Sequence, residues 1–314
     1  MAKKAKTKVV QRAPIDPRQL LATWLVALGL LIFIGGGWVW YQYVHRSVYS
    51  VFWDTVDNNF RITGVTRTVE QIANGAEVKS KLQVSLGAEN LARGLTTIKQ
   101  TGDNGASTTI ITETLGTSTN NYARYVDISV VGAGKQPDIS SIKNAWSREL
   151  LVKGAQQNQS VLAEGLFSSV PFANLTQPQR QEIVQFMKDN DVYTVDYRGA
   201  TVVERAGKQA YEYKVAVSLK GYIATLKKID AMMGLGQLDS VDPNSYDGAE
   251  PANLTIVNSI DGRQLLEVTY TGASRKEEYS SYGARINVDV PETELLRSDL
   301  EQKVQNIFKP AGAS

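Results

Sequence analysis

Ser140-Ser141-Ile142-Lys143 has the spacing of a nucleophile and a base. On a helix, Ser140 and Lys143 would stand one turn apart, as in acyl enzymes that use a Ser-x-x-Lys pair. The Ser-Asp-Asn and Lys-Thr-Gly partners of such enzymes do not follow, so the pair reads as part of an exposed helical face. Glu277 and Glu278 are adjacent in a strand pattern and therefore point to opposite faces, which makes them a poor acid and base pair. A third cluster, Asp239, Asp242, Asn244, Asp247 and Glu250, offers oxygen atoms to calcium. It departs from the EF-hand template, with Tyr246 at a ligand position and Gly248 one place late. A solvated acidic loop is the preferred reading, and calcium the minor alternative. Gly132-Ala-Gly134 and Gly234-Leu-Gly236 lack the third glycine of a dinucleotide fingerprint and read as turns.

Missing residue types restrict the chemistry further. The 314 residues contain no Cys and a single His, His45. Disulfides, thiolate metal sites, Cys nucleophiles and a lipidated N-terminal Cys are all excluded. Ser-His-Asp hydrolysis and His-based zinc catalysis are excluded for everything after His45. No cofactor is implied, and the expectation is a non-enzymatic protein.

The charge balance of +2 conceals a division. Six of the 34 basic residues and one of the 32 acids precede position 46, which leaves +5 there and −3 afterwards. Between Arg18 and Arg46 lie 27 residues without Asp, Glu, Lys or Arg. About 20 helical residues cross a hydrocarbon core of ~30 Å. Trp24 at one end and Trp38, Trp40, Tyr41 and Tyr43 at the other fit interfacial aromatic belts. The basic tail holds its end in the cytoplasm and sends the remainder across. The long basic region and the lack of an Ala-x-Ala site favour an uncleaved anchor over a signal peptide. The expected location is the cell membrane, single-pass, with the C-terminal domain extracytoplasmic. The exported part carries no basic stripe, so no nucleic-acid partner is expected.

The elements that must position any site follow from periodicity. Residues 1–18 form the basic tail, 19–45 the transmembrane helix and 46–60 a juxtamembrane amphipathic helix with Val48, Phe52, Val56 and Phe60 on one face. From 61 the period becomes two, giving strands at 61–71, 76–86, 106–117 and 121–131, with Asn74-Gly75 and Asp103-Asn104-Gly105 as hairpin signals. Ile139, Ile142, Trp146 and Leu150 predict a helix, a weaker one covers 156–167, and a third starts at Thr176 with capping-box spacing to Gln179. Strands return at 192–205 and 208–219, and a helix at 220–233 ends at Gly234. Strands at 253–260 and 263–271 flank the Asp261-Gly262 turn, a last strand covers 277–290, and an amphipathic helix carries Leu296, Leu300, Val304 and Ile307. Strands in hairpins with helices grouped between them define an α+β class. The expected architecture is one extracytoplasmic domain over 61–291, a curved half-barrel-like antiparallel sheet covered by helices. A terminal helix and tail occupy 292–314.

Two segments carry a family resemblance: Gly207-Lys-Gln-Ala-Tyr-Glu-Tyr-Lys-Val-Ala-Val217, and Tyr279-Ser-Ser-Tyr-Gly-Ala-Arg-Ile-Asn-Val-Asp-Val-Pro291. With the strand–helix–strand plan over about 60–291, the chain resembles the bacterial lipoprotein-carrier superfamily of LolA and LppX/LprG-type proteins. That resemblance implies a sheet whose apolar concave face, under helices, binds acyl chains. The chain departs from the family in having no lipidated Cys; a transmembrane helix stands in its place. Trp146, Phe167, Tyr222, Met232 and Met233 are the apolar helical residues expected over the sheet, as core or as a lipid-pocket lining. The function expected is a membrane-anchored extracytoplasmic binding protein for an envelope lipid or amphiphile. The alternative is a structural or accessory subunit of an envelope assembly, with protein partners in place of a small ligand.

Overall fold

Period-two alternation turns into five consecutive antiparallel strands: β1 Gly64–Ala73, β2 Ala76–Ser85, β3 Leu91–Thr101, β4 Ser107–Gly116 and β5 Asn120–Val131. Asn74 and Gly75, at φ 51° and 76°, form the tight turn between the first two, where a right-twisted hairpin needs positive φ at both positions. β3 is not marked in the sequence pattern. Its first half, Leu-Ala-Arg-Gly-Leu, lacks β-branched residues, and it is held by ten paired positions with β2 on one side and ten with β4 on the other. The computed structural model describes residues 36–37, 39–41, 43, 46–87, 89–102, 105–132, 136–151, 160–287, 289–292 and 295–308.

Two compact units divide the chain, residues 1–50 and 51–314. In the first, residues 36–37, 39–41 and 43 are helical, and the rest of the expected span 19–45 lies outside the described residues. Among the described residues no helix is long and apolar enough to cross a membrane. Helix α1, Val48–Asn59, begins where the Ser47 hydroxyl accepts the Ser50 N–H at 3.2 Å. In the second unit its Phe52 side chain meets Trp53, Tyr193, Tyr197 and Tyr213 edge-on, at centroid distances of 5.3–6.3 Å. Such T-shaped pairs set ring edges against ring faces and add to the area buried.

The helix expected over 139–150 is replaced by a tight turn and a short strand. Asn144 adopts φ 60° and its N–H binds the Tyr125 carbonyl, after which β6, Ser147–Leu150, pairs with β5. The amphipathic spacing is real but the open edge of β5 wins, because its backbone groups need partners. Ile142 is fully buried while Leu150 is 64% exposed, so the supposed apolar face is split.

Helix α2, Val161–Leu166, is capped by the Ser160 hydroxyl, which accepts the Ala163 N–H; residues 156–159 of the expected helix lie outside the described residues. It lies flush on the sheet through two glycines. A Cβ on Gly116 would come within 2.7 Å of Leu162 N, and one on Gly165 within 2.5 Å of Val84 Cγ2. Helix α3, Gln177–Asp189, starts as expected, with Gln179 Oε1 accepting the Thr176 N–H at 3.0 Å. Then come β7 Tyr193–Val195, β8 Thr201–Arg205 and β9 Lys208–Val217. Helix α4, Leu219–Met233, ends at Gly234 in the left-handed region.

A 3-10 turn, Pro243–Tyr246, leads to β10 Ala252–Ser259, β11 Leu265–Tyr270 and β12 Arg275–Ser280. The expected strand 277–290 thus stops early. Ser281 turns at φ 53°, and Tyr282 reaches back to donate to the Leu265 carbonyl at 2.6 Å. β13, Leu295–Leu296, and α5, Arg297–Phe308, close the described chain.

All thirteen strands form one sheet in the order β13-β6-β5-β4-β3-β2-β1-β12-β11-β10-β9-β7, with β8 paired to β9. Its ends do not meet, and among the described residues every strand pairing is antiparallel except β13 with β6. The molecule is α+β, a large open antiparallel sheet with helices on it.

Candidate binding site

Register defines one covered face running across the sheet. Val65, Val84, Ala92, Gly116 and Asn121 form a transverse row, and Arg67, Leu82, Gly94, Thr114 and Ala123 the next. Helix α2 rests on these rows through the glycine contacts described above and through Val161, whose N–H binds Asn121 Oδ1 at 3.0 Å. The third row is Val69, Ser80, Thr96, Thr112 and Tyr125, and the fourth Gln71, Val78, Ile98, Ile110 and Ile128. At the β5 end, Ile128 packs with buried Ile142 and Leu300, against which Ile110, Tyr125 and Ile139 lie, as do Val304 and Ile307 of α5. Between the two covers, Val78, Ser80, Thr96, Ile98 and Thr112 are only half-buried. This strip sets a line of hydroxyls, with Thr96 donating to Ser80 at 3.1 Å, beside a line of aliphatic side chains.

Further along the same face the sheet carries a buried polar network. Glu277, fully buried, accepts from Arg275 Nε and Nη2 at 2.9 and 2.7 Å and from the hydroxyls of Tyr279 and Tyr270. The loop after α2 closes over it. Tyr222 of α4 donates to the Ser168 carbonyl, Tyr193 to that of Ser169 at 3.4 Å, and the Ser169 and Tyr270 hydroxyls bond each other. Burial, and then the Glu277 charge, push the Tyr279 phenol well above its ordinary value. The Glu277 oxygens are committed to Arg275 and the two tyrosines. Alternation in Arg275-Lys-Glu277-Glu-Tyr279 was the available signal, since it places Arg275, Glu277 and Tyr279 together.

The residues singled out by sequence are dispersed. Phe167 ends α2, and the Tyr222 hydroxyl donates to the carbonyl of the next residue, Ser168. Met232 and Met233 lie ten and eleven residues beyond Tyr222, about 15 Å along α4, and are half-buried. Trp146 sits under the Arg124 guanidinium, 4.7 Å from ring centroid to Cζ, and Arg124 points to the opposite face of the sheet from the strip. There Arg124 and Arg93 hold Glu113 between them at 2.8 and 2.7 Å. Burial alone would raise the Glu113 carboxyl, but the hydrogen bonds and charges of the two arginines outweigh it and hold it below its usual range. The space beneath α1 is nearly filled, with a void of about 10 Å³.

Ser140 and Lys143 do not form a pair. Ser140 N–H binds Asp138, Lys143 Nζ reaches Asp127 at 3.1 Å, and the turn replaces the helix that would have aligned them. In the acidic loop, Asp242 caps the 3-10 turn by accepting the Asn244 N–H, and Asp247 pairs with Lys220 at 2.9 Å. Lys227 spans the loop to the carbonyls of Asp239 and Val241. Among the described residues no three His, Cys, Asp or Glu converge as a metal site. Glu277 and Glu278 point to opposite faces as the strand pattern requires, one fully buried and the other exposed.

No family model matches the chain, and no curated protein matches it. Among solved structures, the lipoprotein LppX of Mycobacterium tuberculosis is similar at 12% identity and TM-score 0.34, over 77% of this chain and 98% of that one. A β-barrel-like protein of a domain of unknown function from Brucella abortus is similar at 7% identity and TM-score 0.26, over 71% and 98%. The chain therefore has a weak fold resemblance to LppX, and the resemblance concerns the fold alone.

Proposed function

We propose that the protein is a non-catalytic binding module, held at a membrane by its N-terminal apolar segment, that takes an envelope lipid or another amphiphile on its sheet. The observation that carries this reading is the half-buried strip Val78, Ser80, Thr96, Ile98 and Thr112. Its parallel lines of hydroxyl and aliphatic groups suit a ligand that is polar along one side and apolar along the other. Ligand contact is assigned to this strip in preference to Trp146, Phe167, Tyr222, Met232 and Met233, since Trp146 lies against Arg124 and the Tyr222 hydroxyl is committed to the Ser168 carbonyl. The test is native mass spectrometry of the full chain released in a neutral detergent. A retained lipid adduct that is lost in Ile98→Asp supports the assignment; a chain that carries no adduct under gentle release overturns it.

The second reading, an accessory subunit of an envelope assembly, is favoured by the filled space beneath α1 and by the Tyr–Ser–Glu network that fixes the α2 loop. Cross-linking in intact cells that recovers a defined partner, together with absence of any lipid adduct, would select it.

A further inference from the structure

Asn59, at the C-terminal end of α1, and Asn258, on β10, are each 1% exposed. Among the described residues neither Oδ1 nor Nδ2 of Asn59 has a hydrogen-bond partner, and neither does Oδ1 of Asn258. Both side chains line the same void of about 10 Å³, together with Thr55, Tyr193, Val170 and Leu265. Asn258 sits where the β10–β11 register shifts, at the irregularity between Val257 and Asn258. Leaving a buried amide atom without a partner costs about 1–3 kcal/mol. A void holds one water once it offers roughly 10–15 Å³ and at least two polar partners.

We propose that this void is a binding site for a single buried water bridging Asn59 and Asn258. Whichever amide atom Asn59 turns toward the void, water can meet it, donating to the oxygen or accepting from the nitrogen, while donating its other hydrogen to Asn258 Oδ1. The Thr55 hydroxyl has already given its proton to the Val51 carbonyl at 2.7 Å, so towards the void it can only accept. No charged side chain lines the void, so a neutral donor–acceptor fits it and a metal cation does not. The site joins α1 to the sheet through solvent and stands independently of any ligand on the strip.

A crystal structure of the full chain at about 1.6 Å resolution tests it. The expected result is one density peak within hydrogen-bonding distance of both amides; an empty void, or the two amides bonded directly to each other, overturns it. Denaturant unfolding of Asn258→Leu gives a second measurement, since leucine keeps the shape of the amide and takes away the acceptor that holds the water. If the water is bound, Asn59 loses its partner and the folded-to-unfolded ratio falls by about tenfold or more. A variant as stable as the parent, or more stable, shows that no water served Asn59 and sinks the proposal.

Discussion

Tyr279 donates its phenolic hydrogen to the carboxylate of Glu277, two residues earlier on the same strand, with both side chains buried on the covered face of the sheet. The contact exists because strand alternation puts both on one side, and burial makes each depend on the other. Tyr279→Phe removes one donor and is expected to cost about 1–2 kcal/mol. Glu277→Gln strips Arg275 of its counter-charge and is expected to cost more, about 3 kcal/mol. Urea unfolding midpoints of the two variants measure the difference.

Alkaline stability follows from the same burial. Tyr193, Tyr213, Tyr222, Tyr279 and Tyr282 are all raised above the ordinary phenol value, chiefly by desolvation. The unfolded chain would release these protons near pH 10, whereas the fold retains them. Their contribution is therefore complete below about pH 10 and is lost as pH rises beyond it. Absorbance titration of tyrosinate is expected to show these phenols ionising only together with loss of near-ultraviolet circular dichroism. Independent ionisation in a still-folded protein would contradict the burial.

On the opposite face, the Glu113 carboxyl is held below its ordinary value, so the sign is reversed. The arginine-paired carboxylate stabilises the fold above the ordinary Glu range, and that contribution disappears as pH falls through the depressed value. Glu113→Gln is expected to cost about 2 kcal/mol near neutrality, with the gap from the parent narrowing steadily below about pH 4.5. Thermal melts of both proteins between pH 3 and pH 7 (about four points suffice) test the convergence.

Gly165→Ala addresses the seat of α2. An added Cβ would stand 2.5 Å from Val84 Cγ2, so the helix must lift or Val84 must leave its rotamer. The expected loss is about 1–3 kcal/mol, despite the better helix propensity of alanine. Calorimetry measures it; a stability gain would show that α2 does not lie flush on β2.

The N-terminal segment makes a separate prediction. A full chain anchored by residues 19–45 stays with membranes through alkaline carbonate washing, and deletion of that segment releases it. Recovery of the full chain in the wash supernatant would remove the anchor from the proposed function.

Most strands were legible because each alternation was bounded by a turn, such as Asn74-Gly75. The two-residue turn expected at Asp261-Gly262 is a longer loop between Ser259 and Leu265, with the positive φ at Arg263. β3 was not legible, since its opening residues have no strand propensity and its ladder partners supply what local preference does not. The segment 139–150 failed for the converse reason. Its helical spacing was sound locally, but the free edge of β5 offered backbone hydrogen bonds that no local pattern announces. The strip at Val78, Ser80, Thr96, Ile98 and Thr112 draws on three successive strands, one of them the unmarked β3, and only their register aligns it.

By itself the sequence determined what is decided by composition and short-range period: the loss of Cys and His chemistry, the 27-residue uncharged segment, the α+β class, and the opposed faces of Glu277 and Glu278. Tertiary structure alone decided which residues meet. Ser140 and Lys143 were separated because Asn144 turned the chain to pair with β5. The Tyr222 hydroxyl met the Ser168 carbonyl because a buried hydroxyl needs an acceptor. Spacing along a chain fixes faces, whereas the need to satisfy buried polar groups and sheet edges fixes neighbours.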